Sequence, residues 1–282
     1  MSSFSKPPKK AIRINTLKMS VSKCLERLKK KGFEFSRIPW MNYAFFVEKE
    51  PTPLAATIEH LAGYFYIQDA ASMLPPLELS PKKGDIVLDM TASPGGKTTH
   101  LSQIMENKGV ILASDIDKRR MKALIYNTTR MGVENMVAIR TDARKIKEFG
   151  VTFDKILLDA PCSSDGTIGK NPRLKKELSQ NDYLKYPLLQ KELIKSAKSV
   201  LNPGGSLIYS TCSTAPEENE EVVNYAVENL GFKLMPLKNK KYLRSGMTEF
   251  FGRKYKSYLK KCGRVEPFKY NTQAFFLAKL KL

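Results

Sequence analysis

The 282-residue chain has no apolar run near the roughly 18 residues that cross a bilayer. Its first ten residues, Met1 to Lys10, hold no apolar stretch of the secretory kind. Neither a membrane span nor a secretory route is expected, and a cytoplasmic location is. Histidine is scarce, with only His60 and His100. The four cysteines, Cys24, Cys162, Cys212 and Cys262, stand 50 or more residues apart and form no Cys-x-x-Cys. A structural metal site is therefore not expected, and disulfides are not expected in a reducing compartment. Acidic residues are few, 28 against 48 Lys and Arg, which leaves a net charge of +20. Such an excess does not set a fold. It does point to a polyanionic partner, with RNA or DNA ahead of a membrane surface. Internal repeats are absent, and apolar segments alternate with charge throughout, so a folded chain of one large or two smaller domains is expected.

The charge is uneven. Residues 1–40 hold a net +9 and residues 238–264 hold another +9, while the other 215 residues carry only +2. The second segment interleaves Tyr242, Phe250, Phe251, Tyr255 and Tyr258 with its cations. Cations neutralise phosphates and aromatic rings stack on unpaired bases. A solvated face over ordinary buried aromatics would give the same composition.

Residues 11–17 alternate like a strand. Val21, Cys24, Leu25 and Leu28 then fall on one helical face, so Cys24 reads as core. A second strand over Tyr43–Glu48 completes a small α+β unit, and Leu74–Gly84 reads as a junction. After Gly84 the pattern changes. Short apolar runs at Asp85–Met90, Val110–Ile116, Met136–Thr141, Asp154–Asp159 and Gly205–Thr211 alternate with helical patterns at Lys97–Met105, Lys118–Met131 and Leu188–Leu201. This predicts a doubly wound parallel sheet. A further helix is expected near Pro216, with Thr214 and Glu217 as a capping box. A last strand is expected over Gln273–Leu280.

In such sheets, ligands bind beyond the carboxyl ends of the strands. Three unusual sequences lie there: Asp89-Met-Thr-Ala-Ser-Pro-Gly-Gly-Lys-Thr98, Asp159-Ala-Pro-Cys-Ser-Ser-Asp-Gly166 and Ser210-Thr-Cys-Ser213. The glycines permit a tight turn and a close approach to a ligand, and a helix N-terminus follows. Asp115, ending the second strand of the series, is placed for a ribose, and Asp142, ending the third, for an adenine edge. Together they read as a nucleoside-containing cofactor site. A phosphate-binding loop is the rival, since Gly96-Lys97-Thr98 resembles its close and Ile156–Asp159 a metal-binding strand. That pattern needs a glycine where Thr91 stands, and Pro94 removes a donor from the cradle.

Cys162 and Cys212 would end adjacent strands and open into one crevice. Their polar neighbours fit core packing poorly. A nucleophilic thiol needs nearby positive charge, for which Lys97 is a source. Here the chain closely resembles the RNA cytosine-5 methyltransferases of the NOL/NOP/Sun type. The resemblance runs through Arg13-Ile-Asn-Thr-Leu-Lys18, Gln68-Asp-Ala-Ala-Ser72, Asp89–Thr98, Asp159-Ala-Pro-Cys-Ser163, Tyr209-Ser-Thr-Cys-Ser213 and Glu218-Asn-Glu220. It implies a class I (Rossmann-like) methyltransferase domain over 76–282, with a basic insertion at 238–264. A small α+β domain resembling an RNA-recognition fold would occupy 1–75.

The same resemblance assigns Cys212 as the nucleophile that adds to C6 of cytosine. It gives Cys162 a later role in proton loss or adduct release, Asp159 the N3/N4 edge of the base, and Lys97 a place at the base or the cysteine. It places S-adenosylmethionine against Ala92, Ser93, Pro94, Gly95, Gly96 and Lys97, with Asp115, Arg120, Asp142 and Asp159. The implied partner is RNA, with tRNA ahead of ribosomal RNA, and the expected state is a monomer without metal. A catalytically silent RNA-binding protein would instead lack one of the two cysteines. The family's C-terminal Arg-x-x-Pro-His run departs here to Arg264-Val-Glu-Pro267-Phe268, and Ala274 precedes Phe275-Phe276.

Overall fold

The computed structural model describes residues 7–282. The first unit contains β1 (Ala11–Ile14), α1 (Val21–Lys30), β2 (Glu34–Arg37), β3 (Ala44–Lys49), α2 (Ile58–Leu61) and β4 (Phe65–Ile67). Its four strands form an antiparallel sheet in the order β2-β3-β1-β4. The amphipathic spacing in α1 buries Cys24 and Leu28 against Ile12, Ile14, Phe33, Phe45 and Phe65. Ser20 caps the helix, and basic residues fill its last turn, where they oppose the dipole favourably.

The stretch read as a junction folds differently. Leu74–Leu79 forms α3, with prolines in its first turn, where their missing N–H groups cost nothing. Its Glu78 is fully buried and accepts from the backbone N–H groups of Lys238 and Asn239, so the basic segment is anchored at its start.

The larger sheet follows through β5 (Ile86–Asp89), α4 (Gly96–Met105), β6 (Val110–Asp115), α5 (Lys118–Met131), β7 (Met136–Arg140), β8 (Phe153–Asp159), α6 (Leu174–Glu177), α7 (Asp182–Val200), β9 (Leu201–Thr211) and α8 (Glu220–Glu228). It ends with β10 (Lys233–Met235), β11 (Arg244–Ser245), a separate hairpin of β12 (Glu249–Phe250) and β13 (Arg253–Lys254), then β14 (Gly263–Val265), α9 (Pro267–Tyr270) and β15 (Phe275–Lys281). Strands β7, β6, β5, β8 and β9 run parallel in that order. Strand β15 joins β9 antiparallel, and both β14 and β10 pair with β15. The chain order reverses between β5 and β8, and the carboxyl ends there open the crevice.

Two further sequence expectations are corrected. Helix α7 begins at Asp182 rather than Leu188 and carries Pro187 inside it. Burial of Leu193, Ile194, Ala197 and Val200 along its length outweighs one lost backbone bond. The Thr214–Glu217 capping box does not form. The Thr214 hydroxyl donates to Asp165 at 2.6 Å, and α8 starts only at Glu220.

The two sheets share a core. Ala11, Ile38, Trp40, Met41, Ala44 and Phe46 pack with Met73, Leu74, Leu237, Val265, Phe275 and Leu277. Polar ties cross the same boundary. The wholly buried Arg13 donates to Thr99 Oγ1 at 2.7 Å, to the Gly96 carbonyl at 3.3 Å and to Gln103, all on α4. Burial lowers its guanidinium to about 10. Asn15 Nδ2 donates to Gly63 O at 2.9 Å and Met131 O at 2.7 Å. The small unit is thus fixed against the helix that follows the glycine loop.

Among the described residues no helix is long and apolar enough to cross a membrane. Among them, too, no group of three or more His, Cys, Asp or Glu could hold a metal ion.

Candidate active site

Pairing of β8 with β9 sets Asp159 beside Ser210, so the loops that follow emerge side by side. Cys162 Sγ lies 3.3 Å from Cys212 Sγ, and both are free thiols. Ser164 Oγ stands 3.4 Å from the Cys212 sulfur and 3.8 Å from that of Cys162. Lys97, at the start of α4, reaches across to Asp159 Oδ2 at 2.5 Å and lies 5.4 Å from the centre of the Phe275 ring. The other Asp159 oxygen accepts from Ser210 Oγ at 2.7 Å. The strand ends singled out in the sequence therefore converge on one spot. Lys97 is committed to Asp159 and the Thr98 hydroxyl to Asp89, which leaves neither for a phosphate cradle.

The surroundings divide the two thiols. A hydrogen bond from Cys162 holds the Cys212 thiol below its ordinary value, with Ser164 and the Lys97 charge adding, against burial and the Asp159 charge. Its partner is pushed well up, first by that same hydrogen bond, then by burial and by the charges of Cys212 and Glu218. One sulfur is thus favoured as thiolate and the other as its proton donor.

Glu218 is the residue whose part in this arrangement was not legible. It is fully buried. One oxygen accepts from Ser163 Oγ at 2.5 Å and Ser213 Oγ at 2.7 Å. The other accepts from Ser163 N at 2.9 Å and Gln190 Nε2 at 3.0 Å. It pins the loop of Cys162 to the loop of Cys212. The Glu218-Asn-Glu220 triplet was the available signal, but its partners lie on separate elements. Glu220 in turn pairs with the buried Arg264, which donates to the Thr214 carbonyl at 2.9 Å. Gly166 permits the close packing beneath, since a Cβ there would sit 2.5 Å from the Cys212 carbonyl oxygen.

The glycine loop runs from β5 to α4. Asp115 accepts from Ser93 N at 3.2 Å and Asp117 N at 3.0 Å. Arg120 donates to the Ser93 carbonyl at 2.8 Å and sits 3.4 Å from Asp115, bracing the loop. The Pro94 carbonyl accepts from Asn127 Nδ2 at 2.9 Å and Tyr66 OH at 3.4 Å. Gly95 has φ of 104°, a left-handed turn, and an added Cβ would press on Leu124 at 3.2 Å. Ser93 Oγ and Asp89 Oδ1 are buried without a partner, and burial pushes the Asp89 carboxyl up to about 7. The Asp142 carboxylate is gripped by Arg144, at 2.6 Å in its closest contact, and held low by it.

Residues 76–281 match the family described as 16S rRNA methyltransferase RsmB/F, and residues 1–70 match the N-terminal domain of 16S rRNA methyltransferase RsmF. The chain belongs to the RsmB/F family of RNA cytosine-C5 methyltransferases. A tRNA (cytosine(49)-C(5))-methyltransferase of Pyrococcus abyssi is 39% identical over 98% of this chain and 89% of its own. A human 28S rRNA (cytosine(4447)-C(5))-methyltransferase is 38% identical over 96% of this chain but only 34% of its own. This chain therefore spans most of the archaeal relative and about a third of the human one. The structure of NSun6 from Pyrococcus horikoshii with SFG superposes with a TM-score of 0.86 at 28% identity, covering 99% of this chain and 92% of that one. Enzymes of this family take their methyl group from S-adenosylmethionine.

Proposed function

We propose that the protein methylates C5 of a cytosine in tRNA through a covalent bond between Cys212 and C6. The observation that carries this reading is the 3.3 Å sulfur pair at two neighbouring strand ends, with Lys97 and Asp159 beside it. C5 of cytosine is too poor a nucleophile to take a methyl group unaided. Addition of the Cys212 thiolate to C6 moves the ring electrons to C5. Asp159 accepts from the N4 amino group and orients the ring, and Lys97 supports both the carboxylate and the thiolate. After transfer, the C5 proton passes to a basic site, solvent or Cys162 in its thiolate form, its bonding electrons re-form the C5–C6 double bond, and the C6–S bond breaks, restoring the Cys212 thiolate. Cys162 is the group placed to serve that release. A base in a paired stem must first be unstacked to reach the sulfur.

The glycine loop fits S-adenosylmethionine. Ser93 Oγ and Asp89 Oδ1 are buried oxygens awaiting partners, and the Asp115 carboxylate stands at the end of β6 for ribose hydroxyls. Ala92, Pro94, Gly95 and Gly96 shape the turn, Arg120 braces it, and Asp142 stands at the adenine end. When bound, the sulfonium supplies an electrophilic methyl. Similarity to an archaeal tRNA (cytosine(49)-C(5))-methyltransferase, over 98% of this chain and 89% of that one, is what supports tRNA ahead of ribosomal RNA as the substrate here.

Bisulfite sequencing of tRNA and rRNA after incubation with enzyme and S-adenosylmethionine tests the reading. Protected cytosines in tRNA are expected, whereas protection only in rRNA would reassign the substrate. Cys212→Ala should abolish methylation while keeping S-adenosylmethionine binding. Cys162→Ala should accumulate a denaturant-resistant protein–RNA adduct. Turnover by the first variant, or no adduct with the second, would overturn the roles of the two cysteines.

A further inference from the structure

The hairpin of the basic segment ends in a turn that its first residue disfavours. Strands β12 and β13 pair Glu249 with Lys254 and Phe250 with Arg253, so only Phe251 and Gly252 make the turn. Both stand at positive φ, 46° and 78°, the pattern of a type I′ turn. That turn favours Asn, Asp or Gly at its first position, and a bulky side chain there is strained. Phe251 gains nothing from the core in return. It is 94% exposed, the most of any large apolar side chain among the described residues. The half-buried Phe250 ring meets it edge to face at 4.5 Å, which steadies the Phe251 ring without covering it. Neither turn preference nor packing accounts for an aromatic at this tip, and strain held in a folded protein points to function.

The hairpin is mounted on the frame that holds the nucleophile. Glu220 accepts from Met247 N, just before β12, at 2.8 Å. It also pairs with Arg264, which donates to the Thr214 carbonyl two residues past Cys212. Glu221 pairs with Arg253 at 2.6 Å and accepts from Tyr255 OH at 3.2 Å. The tip is therefore held at a set place relative to Cys212. A cleft of about 490 Å³ lies between the hairpin and helices α7 and α8, lined in part by Lys191, Tyr225, Arg253, Lys254 and Lys256. The Glu221 carboxylate on that lining is the one already paired with Arg253. An exposed ring beside clustered cations matches a single-stranded nucleic acid, whose bases stack on aromatics while its phosphates meet Lys and Arg.

We propose that Phe251 is a stacking post for an unpaired base of the substrate RNA, with the neighbouring phosphates drawn into the cationic cleft. The inference rests on RNA as the substrate class, and on neither tRNA in particular nor the covalent step at Cys212. It is tested by the binding of a fluorescent single-stranded adenosine oligomer, and of a blunt RNA duplex, to the full chain. Phe251→Ala should weaken binding of the single strand about tenfold at fixed salt, the range of one lost stack. The log–log salt slope should not change, because no charge is removed. The duplex, whose bases are already stacked, should bind as before. Phe251→Tyr keeps a stacking ring and should keep the affinity. Phe251→Asn suits the turn, so it should slow hydrogen exchange of the hairpin amides and still bind as weakly as Phe251→Ala. Wild-type affinity in Phe251→Ala, equal losses for single strand and duplex, or full binding by Phe251→Asn would overturn the proposal. Methyl transfer enters none of these measurements, so their outcome is separate from that of the reaction proposed above.

Discussion

Cys162 and Cys212 are chemically the same side chain, and only their neighbours set them apart. Cys212 has Cys162, Ser164 and the Lys97 charge lowering its thiol, while Cys162 has Glu218 and the partner sulfur raising its own. A lowered thiol is ionised at a pH where an ordinary one is not. The rate should therefore rise with pH through a limb below the usual thiol range. Lys97→Met removes the positive charge and leaves Asp159 facing the sulfur, so that limb should move to higher pH in a profile of kcat/KM. An unmoved limb would separate Lys97 from the thiolate. Gly166 offers a geometric test. Gly166→Ala puts a methyl group 2.5 Å from the Cys212 carbonyl and 2.9 Å from Ala274 Cβ. The Cys212 sulfur should shift, and kcat should fall about 100-fold in a methylation assay. The sequence exposed both cysteines, Lys97 and Asp159 because each ends a strand or opens a loop. It did not expose the part played by Glu218, whose donors come from residues 163, 190 and 213.

At the scale of elements, the parallel strands, α4 and α5 were legible from hydrophobic period, whereas α8 was expected from a capping box that does not form and begins four residues later than Pro216 suggested. Short pieces such as β2, β4 and β11 were not, because two to four residues are too few to show a period. Leu74–Leu79 was misread for a different reason. Prolines mark loops in general, yet they also suit the first turn of a helix, and burial decided between the two. The motif at Arg13 was visible while its task was not. Its guanidinium binds α4 more than 80 residues away, joining the small sheet to the helix that carries Lys97. Arg13→Ala leaves Thr99 and Gln103 without their buried donor. It should lower stability by about 3 kcal/mol in urea titration, with Arg13→Lys in between. A change near zero would mean that the shared apolar core alone holds the two units together.

Across the whole molecule, the two basic segments meet. Trp40, closing the first, packs 5.9 Å from Tyr242 of the second and 5.2 Å from Tyr270. Segments some 200 residues apart in sequence thus join at one place, beside the sheet that holds the cysteines. Phosphates bound there should show in the salt dependence of RNA binding. Neutralising four exposed residues, Lys240, Lys241, Lys254 and Lys260, should weaken binding. It should also flatten the log–log salt slope by about 0.7 for each phosphate that no longer meets a cation. An unchanged slope would make the segment a solvated face. By itself the sequence determined the alternation of strand and helix and the residue types gathered at the strand ends, since these follow from local period and motif. Only the tertiary structure decided which sulfur is lowered and that Glu218 clamps both loops. Those depend on charges and donors brought from distant elements to within a few ångströms, and no local pattern encodes that distance.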